Sequence, residues 1–298
     1  MRIVIGGASG LLGTALAAGL EQDGHQVTRL VRRPPAGPGQ VRWSPGGVLD
    51  PAVVSGCHAV VSLSGAPVAG GRWTQARKRV LRDSRIGPTA TLATAIAAAA
   101  APPAVLLSGS AIGWYGDTGD REVDETAPAG DSFLAGLVSD WEAAAAPARD
   151  AGTRVVLLRS GLVLAAKGGL LGPLVPLFRL GLGGRVGSGR QYLSWIALAD
   201  HVRAARFLLE HDIDGPVNLT APAPVTNAAF TAALGRAVHR PAVFAVPAPA
   251  LRAALGEVSS ELLGSVRARP ARLLAAGFTF RYPSIDAALA AAVGQPAG

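Results

Sequence analysis

Apolar positions along the chain follow two rhythms that alternate through the first 165 residues. Arg2–Gly6 is a short, nearly all-apolar run ending in glycine, the pattern of a strand buried on both faces. Leu11–Gln22 then sets Leu12, Ala15, Leu16, Ala18 and Leu20 at helical spacing, and Gly24 stands where a helix C-terminal cap belongs. Gln26–Val31 is β-rich again and opens into a loop holding Pro34, Pro35, Gly37, Pro38 and Gly39. Ala59–Ser64, Ala104–Ser108 and Arg154–Arg159 repeat the short apolar run, with the long helical stretches Thr74–Ala101 and Phe133–Ala151 between them. Strands alternating with helices predict right-handed crossovers, hence an α/β fold with a doubly wound, mainly parallel sheet covered on both faces.

The rhythm changes after Gly161. Glycines at 168, 169, 172, 181, 183, 184, 187 and 189 punctuate a loop-rich section around a short apolar helix, Leu170–Leu180. A helix over Ala199–Glu210 and a strand over Gly215–Leu219 come next, and Thr226–Val293 alternates helical runs with proline breaks. The expected division is a nucleotide-binding unit over residues 1–160, to which 196–222 return, and a smaller α/β lobe over 161–195 and 223–298. Residues beyond about Gln295 are expected to fray.

Composition narrows the classes. A chain of 298 residues that is 49% hydrophobic and only 16% charged buries a full core and is not disordered. One cysteine, Cys57, allows no internal disulfide framework and is most simply a core residue in a reducing, cytoplasmic setting. His25, His58, His201, His211 and His239 make no helix-borne metal pair, so no metal is expected. The longest apolar stretch, Leu92 to Leu107, is broken by Pro102-Pro103 and too short to span a bilayer, so no membrane partner is expected. The net charge of +8 comes mostly from scattered arginines, with Lys78 and Lys167 the two lysines. Its densest run, Arg72, Arg77, Lys78, Arg79, Arg82 and Arg85, spans little more than one helix and reads as a solvated face, so no nucleic-acid partner is expected.

The sharpest chemistry follows the first strand. In Gly6-Gly7-Ala8-Ser9-Gly10-Leu11-Leu12-Gly13 the spacing is Gly-x-x-Gly-x-x-Gly. Glycines there let the chain turn tightly, let its backbone approach a pyrophosphate and let the helix, N-terminus toward the anion, pack on the strand. The strand–loop–helix–strand context makes Gly7, Gly10, Leu11, Leu12 and Gly13 a dinucleotide-binding set. About 20 residues on, where an acid would hold the ribose 2′-hydroxyl of NAD, this chain has Arg32-Arg33, which suits the 2′-phosphate of NADP. Ser64-Gly65-Ala66, past the third core strand, is placed to pass the nicotinamide ribose.

These stretches resemble the extended short-chain dehydrogenase/reductases, and more closely an atypical "epimerase family protein" branch of them. The resemblance also runs through Arg72-Trp73-Thr74, Asp83-Ser84-Arg85-Ile86, Ser108–Gly116, Trp141-Glu142, Arg159–Leu164, Gly181–Asp200, Asn218–Pro222 and Gly277-Phe278. It implies a Rossmann-type core, a C-terminal substrate lobe, NADP as cofactor and a small or nucleotide-linked substrate, in a monomer or homodimer. It also exposes a departure. The superfamily's Tyr and Lys, four residues apart, are replaced here by Phe133 and Leu137, which neither transfer a proton nor bind a ribose hydroxyl.

Ser110, where the superfamily keeps a catalytic Ser or Thr, and Tyr115 are the candidate catalytic residues, with Asp117 and Asp120 as nearby carboxylates. Ser108 and Arg85 join the cofactor set, Arg85 either touching a phosphate or carboxylate or pairing with an acid. Tyr192 and Trp195 are expected to line the lobe interface, and Asp200 to cap a helix or contact a ligand. Two readings stand: an NADP(H)-dependent oxidoreductase or epimerase-like enzyme, and a catalytically inactive NADP-binding sensor or scaffold.

Overall fold

The computed structural model describes residues 1–68, 71–166 and 168–294; the expected fraying beyond Gln295, like Lys167, lies outside them. Seven strands form the central sheet: β1 (Arg2–Gly6), β2 (Gln26–Val31), β3 (Gln40–Arg42), β4 (Ala59–Ser62), β5 (Val105–Ala111), β6 (Arg154–Ser160) and β7 (Gly215–Leu219). They lie in the order β7-β6-β5-β4-β1-β2-β3, and every pairing is parallel. The chain runs from β1 to one edge through β2 and β3, then crosses to β4 on the other side of β1. That reversal opens a crevice at the carboxyl ends of β1 and β4.

Period-two alternation explains the continuous apolar runs. Ile3, Ile5, Val61, Leu107, Val156 and Leu158 join one buried cluster, while Val4, Val60, Leu106, Val155 and Leu157 join another on the opposite face. The first is covered by α1 (Leu11–Gln22) and α6 (Leu198–Glu210), through Leu16, Leu20, Ala204 and Leu208. The second is covered by α2 (Gln75–Ala97) and the short α4 (Ala146–Asp150). Helix α2 starts directly after Thr74, whose hydroxyl accepts from the Arg77 amide at 3.2 Å, and ends at Ala97, short of the expected Ala101. The Phe133–Ala151 stretch divides into α3 (Phe133–Ala143) and α4, with Pro147 opening the second piece. Strand β3 falls just beyond the proline-rich loop, where alternation over three residues gave no signal.

A third apolar cluster joins Leu164, Phe178, Trp195, Phe230, Leu234 and Leu289. It draws on α5 (Leu171–Arg179), α7 (Asn227–Ala237) and the helix Ile285–Gly294. Tyr192 and Trp195 sit in this region, Trp195 fully buried with its indole donating to the Ala223 carbonyl at 3.1 Å. Asp200 departs from expectation: it lies inside α6 and does not cap it. Its buried carboxylate accepts from the Arg281 and Tyr282 amides, each at 2.8 Å, and so pins a distant loop to the helix.

On α6, His201 is buried against β6, its Nε2 2.9 Å from Ser160 Oγ. Burial pushes the imidazole down to about 4. The unfolded chain takes up a proton near pH 6.5 that the folded chain refuses until about 4, so stability falls as pH drops through that window. Thermal melts of the parent chain should lose up to about 3 kcal/mol between pH 7 and 4 from this group, and His201→Gln should flatten that limb. Identical acid limbs in the two proteins would show that His201 is not held neutral.

Candidate functional site

The glycine loop sits at the crevice. Gly7 follows β1 at φ +80°, and a Cβ there would come within 2.7 Å of the Ser64 nitrogen. Glycine is therefore required where the loop after β1 meets the loop after β4. A Cβ on Gly13 would strike the backbone of Gly7 and Ala8, which is how α1 packs so tightly on the loop. Gly10 is the N-cap of α1 and contributes no side chain, so the helix's first amides face outward unblocked. Leu11 and Leu12 open the helix, the former exposed and the latter half-buried. This cradle fits a pyrophosphate. Arg32 and Arg33 stand exposed just past β2, on the same edge of the sheet.

The Ser64–Ala66 loop is held from behind by α2. Ser84 Oγ accepts from the Ala66 amide at 3.0 Å, and Arg85 Nη2 donates to the Ala66 carbonyl at 2.9 Å. The Arg85 guanidinium lies against Gly65 and reaches the Leu81 carbonyl at 3.1 Å. Of the roles expected for Arg85, pairing with an acid is not what the described residues show: its partners are carbonyls and a hydroxyl. Burial first, and then the charge of Arg77, bring it down to about 10. Arg85 positions the loop. Its neighbours in the basic run are also engaged within the chain, Lys78 with Glu257 at 2.7 Å and Arg82 with Asp140. Arg72 donates to the Ala254 carbonyl at 3.0 Å.

Ser108 is fully buried in β5, its hydroxyl directed at the Gly109 carbonyl at 3.4 Å. It lies beside Ser62, the last residue of β4. Ser110 and Tyr115 enter a buried polar network. Ser110 Oγ donates to Glu142 Oε1 at 2.6 Å, and Glu142 also takes Arg159 through both oxygens, at 2.8 and 3.0 Å. Arg159 Nη1 reaches the Tyr115 hydroxyl at 3.3 Å, and that hydroxyl donates to Asn218 Oδ1 at 2.8 Å. Burial works against the Arg159 charge, but the bonds to Glu142 outweigh it and hold the guanidinium above its ordinary value. Burial raises the Tyr115 phenol, with Arg159 opposing in part.

Glu125 extends the network, its Oε1 accepting from the Asn218 amide at 3.0 Å and the Arg272 amide at 3.3 Å. Burial raises its carboxyl. Asp117 is taken by the Ser265 amide at 3.1 Å, so it anchors a loop.

Phe133 and Leu137 stand on α3 in an apolar cluster with Trp73, Leu81, Val138 and Trp141, Phe133 edge-on to Trp73 at 5.2 Å. Sequence reasoning gave no role to Glu142, Arg159, Asn218 or Glu125. The available signal was Arg159 directly after the apolar run Val155–Leu158 of β6, since an arginine buried there demands a counter-charge. Among the described residues no group of His, Cys, Asp and Glu forms a metal site, and no helix is long and apolar enough to cross a membrane.

A parallel sheet with a glycine-lined anion cradle at its switch point defines a dinucleotide-binding α/β protein. The chain belongs to the NAD-dependent epimerase/dehydratase family, whose model matches residues 3–220; residues 246–292 match a domain of unknown function. It is 50% identical over 297 residues to an epimerase family protein of Mycobacterium bovis, covering 99% of this chain and 98% of that one. It is also similar to the human epimerase family protein SDR39U1 (isoform 2), a structure solved with NADPH. That likeness has a TM-score of 0.91 and 34% identity, and covers 99% of this chain and 100% of the human one. A nucleoside-diphosphate sugar epimerase structure from Corynebacterium glutamicum matches with a TM-score of 0.81 and 36% identity, over 99% of this chain and 58% of that one.

Glu142→Leu would leave the Arg159 guanidinium buried without its counter-charge. We expect a loss of about 3–5 kcal/mol in urea unfolding, mostly recovered in Glu142→Leu/Arg159→Met. A single-variant loss below about 1 kcal/mol would mean the pair is solvated.

Proposed function

We propose that the protein is an NADP(H)-binding, epimerase-like oxidoreductase whose substrate is a small or nucleotide-linked molecule. The observation that carries this is the open glycine cradle with two exposed arginines, and no acid, where β2 ends. Gly7, Gly10 and Gly13 leave room for the pyrophosphate, with the first amides of α1 facing it. Arg32 and Arg33 meet the 2′-phosphate by charge-assisted hydrogen bonds. The Ser64–Ala66 loop, braced by Ser84 and Arg85, passes the ribose on the nicotinamide side. Bound NADP(H) supplies a hydride donor or acceptor. The lobe formed by residues 161–195 and 223–298 receives the substrate. A reducing, cytoplasmic setting belongs to the same reading, consistent with a buried Cys57 whose thiol burial pushes up to about 11.

Ser110 and Tyr115 remain the proposed proton carriers, and their bonds bear on a second reading. Each hydroxyl already donates to a buried acceptor, Glu142 or Asn218, and Phe133 and Leu137 add no titratable group. That arrangement favours a sensor or scaffold that binds the cofactor without turnover. The enzyme reading expects a carbonyl and nucleotide-sugar panel to give turnover that Ser110→Ala or Tyr115→Phe abolishes. The sensor reading expects tight binding and a silent panel.

Calorimetric titration with NADPH and NADH is the direct test. NADPH should bind the more tightly, and Arg32→Ala/Arg33→Ala should weaken it about ten- to hundredfold while leaving NADH nearly unchanged. Failure of the parent chain to bind either dinucleotide would overturn the reading.

A further inference from the structure

Among the described residues, eleven large hydrophobic side chains are exposed, and six of them come from two short segments of the second lobe. These are Leu177, Leu180 and Leu182 at the end of α5, and Val243, Phe244 and Val246 on a short strand, with Leu180 at 73% and Val243 at 76% exposed. The two segments are neighbours in space. Leu182 folds back on α5 through its amide to the Leu177 carbonyl at 3.0 Å, and the Phe244 amide meets the Gly183 carbonyl at 3.4 Å. Residues 184–186 and 244–246 then pair as parallel strands, placing Val186 beside Val246. Isolated exposed leucines are ordinary, but this many on adjoining turns form a patch that calls for an occupant.

Charge identifies that occupant. Residues 171–193 and 239–256 contain no aspartate or glutamate, while Arg179, Arg185, Arg190 and Arg240 stand exposed among the apolar side chains. None of the four belongs to an ion pair among the described residues, although ten such pairs form elsewhere. A second copy docked by two-fold symmetry would set these arginines against their own kind, and Asp286, which lines a cavity with Arg179, is already paired with Arg236. The apolar members are leucine and valine with a single phenylalanine, and the patch holds no Tyr, Trp or Met. Leucine tips beside guanidinium groups on long flexible stems match an acyl boundary beneath anionic headgroups.

We infer that this face is a peripheral docking surface for an anionic lipid bilayer. It needs no spanning segment, so it stands apart from the expectation of no membrane partner, which rested on the lack of one. The proposal is independent of the cofactor reading, because none of its residues lies in the glycine loop, at the end of β2 or in the polar network.

Flotation of the full chain with vesicles tests it, using phosphatidylcholine alone and phosphatidylcholine with roughly a third phosphatidylglycerol. The anionic vesicles should retain the protein and the neutral ones should not, with retention falling as salt is raised. Leu180→Glu/Phe244→Glu and Arg179→Glu/Arg240→Glu should each lower the bound fraction about tenfold or more. Unchanged far-UV circular dichroism in both variants excludes misfolding. Arg82→Glu, a basic position outside the patch, should stay bound.

No binding to anionic vesicles, or equal loss in Arg82→Glu, would overturn the proposal. So would a dimer in light scattering that Leu180→Glu dissociates, which would make the occupant a second copy. Binding to an acidic protein by a chain that ignores the vesicles would equally overturn it.

Discussion

A guanidinium buried at the carboxyl end of a strand has to be neutralised, and much of that side of the sheet is arranged around the requirement. Arg159 follows Leu157-Leu158 in β6 and lies between Ser110 of β5 and Asn218 of β7, its charge too costly to bury alone. Glu142 from α3 answers it through both oxygens and takes the Ser110 hydroxyl as well. The remaining guanidinium nitrogen turns to Tyr115, which hands the chain of bonds on to Asn218 in β7. One ion pair thereby ties together β5, β6, β7 and α3. The two hydroxyls best placed for chemistry are parts of that tie.

The cofactor edge obeys a different constraint, backbone proximity. Gly7 passes so close to Ser64 that no side chain fits, and the loop it touches is braced by Ser84 and Arg85. Cradle and loop therefore form one rigid rim, with little loop entropy left to lose on binding a dinucleotide. Arg32 and Arg33 are the exception, exposed past the end of β2.

The parallel core was legible because its central strands are buried on both faces, so β1, β4, β5 and β6 read as apolar runs, while β2 and β7 showed through β-rich composition and their place in the alternation. The glycine loop was legible because its spacing follows from backbone sterics. What escaped depends on distance along the chain. The Arg85 brace joins carbonyls, which carry no sequence signature, and Asp200 looked like a cap because nothing local showed that Arg281 and Tyr282 would arrive with free amides. Glu125 stood in a loop with no pattern, and only the fold brings Asn218 and Arg272 to it.

The hydrogen bonds of Asn218 also set an order of events during synthesis. Its side-chain amide donates to the Arg269 carbonyl at 2.8 Å, and Ser194 Oγ both donates to the Val266 carbonyl and accepts from the Ala268 amide, each at 2.8 Å. Strand residues 267–268 pair with 122–123, far earlier in the chain. A ribosome releases the sheet well before it releases these partners. The polar hub can be completed only once the stretch from Ser265 to Arg272 has emerged, because its last partners are there. A chain cut short before that stretch would leave Asn218 and Glu125 without these partners and would also strip Leu273 and Phe278 from the core of the sheet.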